Sequence, residues 1–262
     1  MAQIKISIQN SSTALTNTQV SAVIPALQMQ VSRDFAPIWG VDADLDFVPT
    51  GEQPPPGHWL LVVLDNSDVA GDLGYHDLTA EGLPMGKIFA GTDIYYGSSW
   101  TVTASHELLE MLGDPDINLY AMSMSGFDVN QNTVGRLYAY EVSDPCEADR
   151  DGYNITIDGV TTLVSDFVFP AWFEGSRATS STQFDFQNRI INPFELLPGG
   201  YSSLYDMTGG TGWQQISVAI PQVAGSGNSA RAPIGSRRER RRTPRNQWQR
   251  NSPDAWKRKP RA

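Results

Sequence analysis

The 262-residue chain contains one cysteine, Cys146, and only three histidines. A single cysteine excludes an intrachain disulfide and any zinc or iron–sulfur site that needs several cysteines. The longest apolar run, Trp59–Leu64, is far shorter than the roughly 20 residues of a membrane-spanning helix. Glycine and proline follow no repeat, which excludes collagen-like and solenoid architectures. Any metal chemistry therefore has to use histidine and carboxylate side chains.

The net charge of −10 is distributed very unevenly along the chain. Residues 231–262 contain twelve lysines and arginines but two acidic residues, so residues 1–230 carry a net charge of −20. We expect residues 1–222 to form one domain and residues 223–262 to be a flexible, disordered, Arg-rich tail. The tail could bind nucleic acid or another anionic surface through 231–262, or it could be solvated and fold partly against the acidic domain.

Hydrophobic periodicity predicts an α+β fold with a β-rich C-terminal half. The expected order is β-α-β-β-β-β-α, followed by strands and loops. A hairpin with Asp158-Gly159 as its turn is expected in the second half. Val41 to Val48 and the segments FVFPAWF and TQFDF are expected to be extended, as is the run GKIFAGTDI. Helices are expected over roughly residues 18–35, with a kink or a later start at Pro25, and over residues 99–112.

The segment His106-Glu107-Leu-Leu-Glu110 carries the strongest chemical signal. His106 and Glu110 are four residues apart, so on a helix they project from the same face and can reach one ion. The alternative is an amphipathic helix whose charged side chains are solvated.

The motif resembles that of the zincin metallopeptidases, HExxH, with Glu110 in place of the second histidine. The resemblance covers the element order from residue 3 to residue 116 and implies a mixed sheet with an active-site helix. It also implies that His106 and Glu110 bind the metal and that Glu107 is the general base. Together with the later segment Glu141-Val-Ser-Asp144-Pro-Cys146, the motif is similar to one in little-characterised bacterial proteins and in plant exordium-type proteins.

The third ligand is open at this point. Analogy with the gluzincins nominates Glu141 first and Asp144 second, whereas metzincin spacing nominates Asp116. Asp116 and Asp144 both lie beside a proline, so each could instead belong to a turn.

The predicted activity is metal-dependent hydrolysis of a peptide or protein substrate, with Zn²⁺ or another divalent cation and a water activated by that ion. An extra carboxylate ligand lowers the Lewis acidity of the ion and favours harder cations such as Mn²⁺, Mg²⁺ or Ca²⁺. If His106, Glu110, Glu141 and Asp144 all bind, a tetrahedral ion has no open position. The protein would then be an inactive zincin-fold scaffold or binding protein. A further alternative is a nucleic-acid-associated protein that acts through the basic tail.

Other candidate residues have simpler interpretations. His76 could lie at the strand edge that aligns substrate in zincins, but a half-buried structural histidine is the favoured interpretation. Cys146 is expected to be a small buried residue rather than a nucleophile. The first residues alternate polar and apolar side chains without a secretory core, so we expect a cytoplasmic protein with no membrane span.

Overall fold

The computed structural model describes residues 4–68, 72–124, 135–175, 178–207 and 212–220. The strands of this described part are β1 (Ile4–Asn10), β2 (Ala43–Val48), β3 (Trp59–Leu64), β4 (Gly74–Leu78), β5 (Pro84–Phe89), β6 (Tyr120–Ser123), β7 (Arg136–Ala139), β8 (Tyr153–Ile157), β9 (Val160–Val164), β10 (Tyr201–Asp206) and β11 (Trp213–Ser217). Its α-helices are α1 (Asn17–Met29), α2 (Ala36–Trp39), α3 (Ala90–Tyr96) and α4 (Trp100–Gly113). The fold is mixed α+β. The predicted tail, 223–262, lies outside the described residues.

The N-terminal half is organised around a five-stranded mixed sheet of order β2-β1-β3-β5-β4. The pairs β1–β2, β1–β3 and β3–β5 are parallel, whereas the edge strand β4 runs antiparallel to β5. The longest apolar run, Trp59–Leu64, is β3, in the middle of this sheet. The order of the elements agrees with the one expected, except that α3 follows β5 directly.

Helix α1 begins earlier than Pro25 and continues through it. Thr16 and Gln19 form a capping box, which satisfies backbone N–H groups at the first turn and fixes the start of the helix. The chain then widens into a π-helical segment at Gln30–Phe35 before α2 begins. The late start expected at Pro25 is therefore wrong, and the helix changes its hydrogen-bond pattern only beyond Met29.

Helix α4 lies in the core, and every residue from Thr101 to Leu112 is buried. It packs against β4 and β5 on one side and against β9 on another. Two hydroxyl groups attach it to the backbone around β9: Ser165 N–H donates to Ser105 Oγ (2.6 Å), and Thr101 Oγ1 donates to the Leu163 carbonyl (2.6 Å). The helix that carries the motif is thus held rigidly on several sides.

The C-terminal half is rich in strands, as expected. Strands β11-β10-β7-β6 form an antiparallel sheet in that order, and β8 and β9 form the predicted hairpin. At its turn, Asp158 and Gly159 both have positive φ, as a two-residue primed turn requires. This hairpin packs against α1 and, through β9, against α4.

Two predicted extended segments are helical instead. Residues 90–94, expected to continue a strand, form the start of α3. Gly91 lies against the Asp65 carbonyl there, so closely that a Cβ atom would be 2.4 Å from the oxygen atom. Residues Pro170–Phe173 form a 3₁₀ turn whose Trp172 fills a second apolar cluster. Cys146 is buried in the same cluster, which confirms the prediction of a small buried residue.

No helix within the described ranges is both long enough and apolar enough to cross a lipid bilayer.

Candidate metal centre

His106 and Glu110 face the same side of α4, as their spacing predicts. His106 Nε2 lies 3.3 Å from Glu110 Oε1, and both side chains are almost completely buried. The Ser143 N–H donates a hydrogen bond of 3.3 Å to the same Glu110 oxygen atom. The backbone after β7 therefore reaches the motif helix and helps to orient the Glu110 carboxylate.

Asp144 reaches this pair from a short 3₁₀ turn at Asp144–Cys146. Its Oδ1 atom lies 3.3 Å from His106 Nε2. One ligand atom from each of His106, Glu110 and Asp144 lies within 4.8 Å of the other two. Of the candidates for a third ligand, Asp144 is the one placed with both motif residues.

Glu107 points from α4 toward the edge strand β4. Its Oε2 atom lies 3.3 Å from His76 Nδ1, and both side chains are at most 2% exposed. The absence of a side chain at Gly74 makes room for this carboxylate, because a Cβ atom there would lie 2.8 Å from Glu107 Oε1. His76 also lies 3.5 Å from Glu110 Oε2, so the strand, the helix and the loop after β7 meet here.

The other two candidate ligands are not in the ligand group of His106, Glu110 and Asp144. Glu141 Oε2 is 3.9 Å from His76 Nε2, on the side of the imidazole ring that faces away from Glu110, and Glu141 is in neither of the two ligand groups found among the described residues. Asp116 is exposed in the turn after α4. In that turn Asp114 accepts the N–H groups of Asn118 and Leu119, so the turn interpretation describes this segment.

Because these side chains are buried close together, the charge of each one strongly shifts the pKa of its neighbours. Burial alone would lower the pKa of His106, but the Glu110 charge and hydrogen bonds to Asp144 and Glu110 raise it well above its ordinary value. Burial would raise the pKa of Glu110, but the positive charge of His106 holds it well below its usual range. Burial, together with the charge of Glu110, raises the pKa of Asp144 to about 7. The protonation state of each of these three groups therefore affects the pKa of the other two.

A narrow crevice leads to this cluster from one side. It has a volume of about 20 Å³, room for a water molecule, and His106 and Glu107 are among the residues that line it. Glu147 lies at the same crevice, and its Oε2 atom is buried with no hydrogen-bond partner in the described structure. Burial raises the pKa of Glu147 well above its ordinary value. The approach to the cluster is acidic.

The donor set of His106, Glu110 and Asp144 fits a divalent cation. An imidazole nitrogen and two carboxylate oxygens suit Zn²⁺, Mn²⁺ and related ions. With His106 neutral, the set carries a charge of −2, which one divalent ion balances. A cation here would offset the repulsion between the two buried carboxylates. The arrangement is therefore consistent with a metal centre.

Sequence reasoning placed His76 outside the centre. The structure brings it against Glu107 and Glu110 because β4 pairs with β5 at the sheet edge beneath α4. The sequence GYHDL contained one indication of this arrangement. In a strand, side chains alternate between the two faces, so His76 lies on the same face as Gly74.

Comparisons of this chain with protein-family models, with curated proteins and with solved structures find no match.

Proposed function

We propose that this protein is a divalent-metal-dependent hydrolase of the peptidase type. His106, Glu110 and Asp144 would hold the ion, and Glu107 would act as the general base. The observation that carries the proposal is the convergence of three buried ligand atoms within 4.8 Å of each other, beside a third carboxylate, that of Glu107, which follows His106 on the helix. A divalent ion at this position would supply the positive charge that polarises a carbonyl group and makes water more acidic.

The protein residues contribute orientation and proton transfer. Glu107 is fixed between Gly74 and His76, with one oxygen atom 3.3 Å from His76 Nδ1. A carboxylate held in this way can take a proton from water and return it to a leaving amine. His106 and Glu110 are fixed by α4, and Asp144 by its 3₁₀ turn, so little reorganisation is needed.

Hydrolysis by the metal-loaded protein tests this proposal. The full chain, loaded with Zn²⁺ or Mn²⁺, should cleave members of a quenched fluorescent peptide library. Glu107→Gln should keep the ion held by His106, Glu110 and Asp144 and lose about 10²- to 10⁴-fold in rate, whereas His106→Ala should lose that ion as well. Glu81→Gln, at an exposed position in the turn between β4 and β5, is the matched control and should behave like the unmodified protein.

A second candidate is a metal-binding scaffold without turnover. The near-complete burial of every side chain in the cluster and the small crevice favour it, because a peptide needs more room than one water molecule. Tightly bound metal without hydrolysis of any library member would select the scaffold, and absence of bound metal would contradict both functions.

A further inference from the structure

The cluster contains a second group of ligands besides the one assigned above. One ligand atom from each of His76, Glu107 and Glu110 lies within 4.8 Å of the others, and all three residues are at most 2% exposed. We propose that these three side chains form a second divalent-cation position and that the centre is dinuclear, with Glu110 as the bridging ligand. The inference deepens the proposed function, since it rests on the same metal centre.

The two oxygen atoms of Glu110 face different groups. Oε1 lies 3.3 Å from His106 Nε2, and Oε2 lies 3.5 Å from His76 Nδ1. A carboxylate that presents one oxygen atom to each of two ligand sets is arranged to bridge two ions. The Ser143 N–H, bonded to Oε1, restrains the rotation that would turn both oxygen atoms toward one side.

His76 presents one ring nitrogen to the proposed second position. Nδ1 faces the carboxylates of Glu107 and Glu110 at 3.3 and 3.5 Å, while Nε2 faces Glu141 Oε2 at 3.9 Å. A cation between these three side chains would be held by Nδ1, and the proton of the neutral ring would then be on Nε2. Glu141 Oε2 is beyond hydrogen-bond distance of Nε2, and we assign Glu141 no ligand role in this centre.

Charge balance supports two ions rather than one. The cluster contains two imidazoles and four carboxylates, and each side chain belongs to a residue at most 3% exposed: His76, His106, Glu107, Glu110, Glu141 and Asp144. With neutral imidazoles and ionised carboxylates its charge is −4. One divalent ion leaves −2, and even a protonated His76 leaves −1, whereas two divalent ions give zero. An uncompensated charge in the interior is expensive, so the dinuclear state is the balanced one.

The second ion would also change the role of Glu107. Its Oε2 atom faces His76, and an oxygen atom that holds a cation cannot accept a proton at the same time. Filling the second position would therefore compete with the base function of Glu107.

Metal stoichiometry tests the inference directly. The full chain is stripped with a chelator, titrated with Zn²⁺ or with Mn²⁺ alone, and examined by native mass spectrometry and by elemental analysis after filtration. We expect two ions per chain for the unmodified protein and one for His76→Gln. His58→Gln is the matched control, because His58 contacts Ser7 on β1, three strands away from β4 in the sheet, and it should keep both ions. Glu110→Ala should lose both.

Each alternative result is distinct. One ion per chain in the unmodified protein overturns the second position and leaves the mononuclear hydrolase intact. Two ions in both the unmodified protein and His76→Gln place the second ion elsewhere and also overturn it. No bound ion in the unmodified protein contradicts the proposed function itself. The first and third results are decided by the unmodified protein alone and do not depend on the folding of any variant.

Discussion

His76 Nδ1 on the edge strand lies 3.5 Å from Glu110 Oε2 on the buried helix, although 34 residues separate them in the chain. This contact joins the five-stranded sheet to α4 at the point where the loop after β7 contributes Asp144. Three distant segments therefore depend on one charged cluster for their mutual position. Folding and metal binding should be linked, because the cluster exists only in the native state.

Removal of metal is expected to destabilise the protein. Without a cation, several ionised groups stay buried and repel each other, whereas a cation at 100 times its dissociation constant stabilises the native state by about 2.7 kcal/mol. For a chain of this size, we expect a chelator to lower the melting temperature by about 5–10 °C, as measured by differential scanning calorimetry.

Restoring Zn²⁺ or Mn²⁺ should reverse the shift, and Glu110→Ala, which removes the ligand common to both groups, should melt at the same temperature with and without the chelator. His58→Gln should respond to the chelator as the unmodified protein does. Equal melting temperatures of the unmodified protein in both conditions would contradict the link between metal and folding.

The motif helix and its facing side chains could be predicted because a helix has a fixed period. His106 and Glu110 face the same side whenever the residues between them are helical, and the apolar pattern around them predicts a helix. The Asp158-Gly159 turn is similarly local. Such features depend only on residues that are close in sequence, so they can be predicted from the sequence.

The remainder of the centre depends on pairing between distant segments. The proximity of His76 follows from the antiparallel register of β4 on β5, in which His76 is opposite Gly86. The position of Asp144 beside His106 follows from a 3₁₀ turn, whereas Glu141, three residues earlier, lies beside His76. Neither relationship has a short-range signature, so the analogy with the gluzincins nominates Glu141 although Asp144 is the residue that contacts His106.

Gly74 should be intolerant of substitution. In Gly74→Ala, the new Cβ atom would lie 2.8 Å from Glu107 Oε1 and 2.9 Å from the Lys87 carbonyl, so the carboxylate and the edge strand must both move. We expect a loss of about 1–3 kcal/mol in the free energy of unfolding, together with weaker metal binding. Urea denaturation and metal titration measure the two effects.

Gly135→Ala is the matched control for this substitution. Its Cβ atom would meet the sulfur of Met207 at 2.9 Å, and a flexible methionine side chain can move aside. We expect less than about 1 kcal/mol of destabilisation and unchanged metal affinity. If both alanine variants behaved alike, close packing of Gly74 against Glu107 would have no special role.

Deletion of residues 223–262 should leave the metal centre intact, because its side chains all come from residues 76–144. We expect the same number of ions per chain and the same melting temperature in the shortened and full chains. Binding to single-stranded DNA at low salt serves as a separate assay. Affinity that falls steeply with salt and disappears on deletion would assign nucleic-acid binding to the basic tail, and no binding by the full chain would remove that alternative.

Asp93 should make stability depend on pH. It is fully buried on α3, where burial raises its pKa to about 8 even though Thr103 Oγ1 donates a hydrogen bond to it. Below the ordinary aspartate pKa, the group is protonated in both the folded and the unfolded chain. Between that value and about pH 8 the unfolded chain releases the proton and the folded chain keeps it. The stability contributed at low pH is therefore lost as the pH rises, by up to about 1.4 kcal/mol per pH unit.

Asp93→Asn isolates this contribution. The amide keeps an oxygen acceptor for Thr103 but cannot ionise, so the variant should gain stability relative to the unmodified protein as the pH increases from 5 to 8. Urea denaturation of both proteins at each pH gives the difference, which should widen with pH and level off above about pH 8. Asp77→Asn, a change of the same type on β4, controls for the lost charge. Parallel stability curves for the unmodified protein and Asp93→Asn would show that Asp93 ionises without cost in the folded protein.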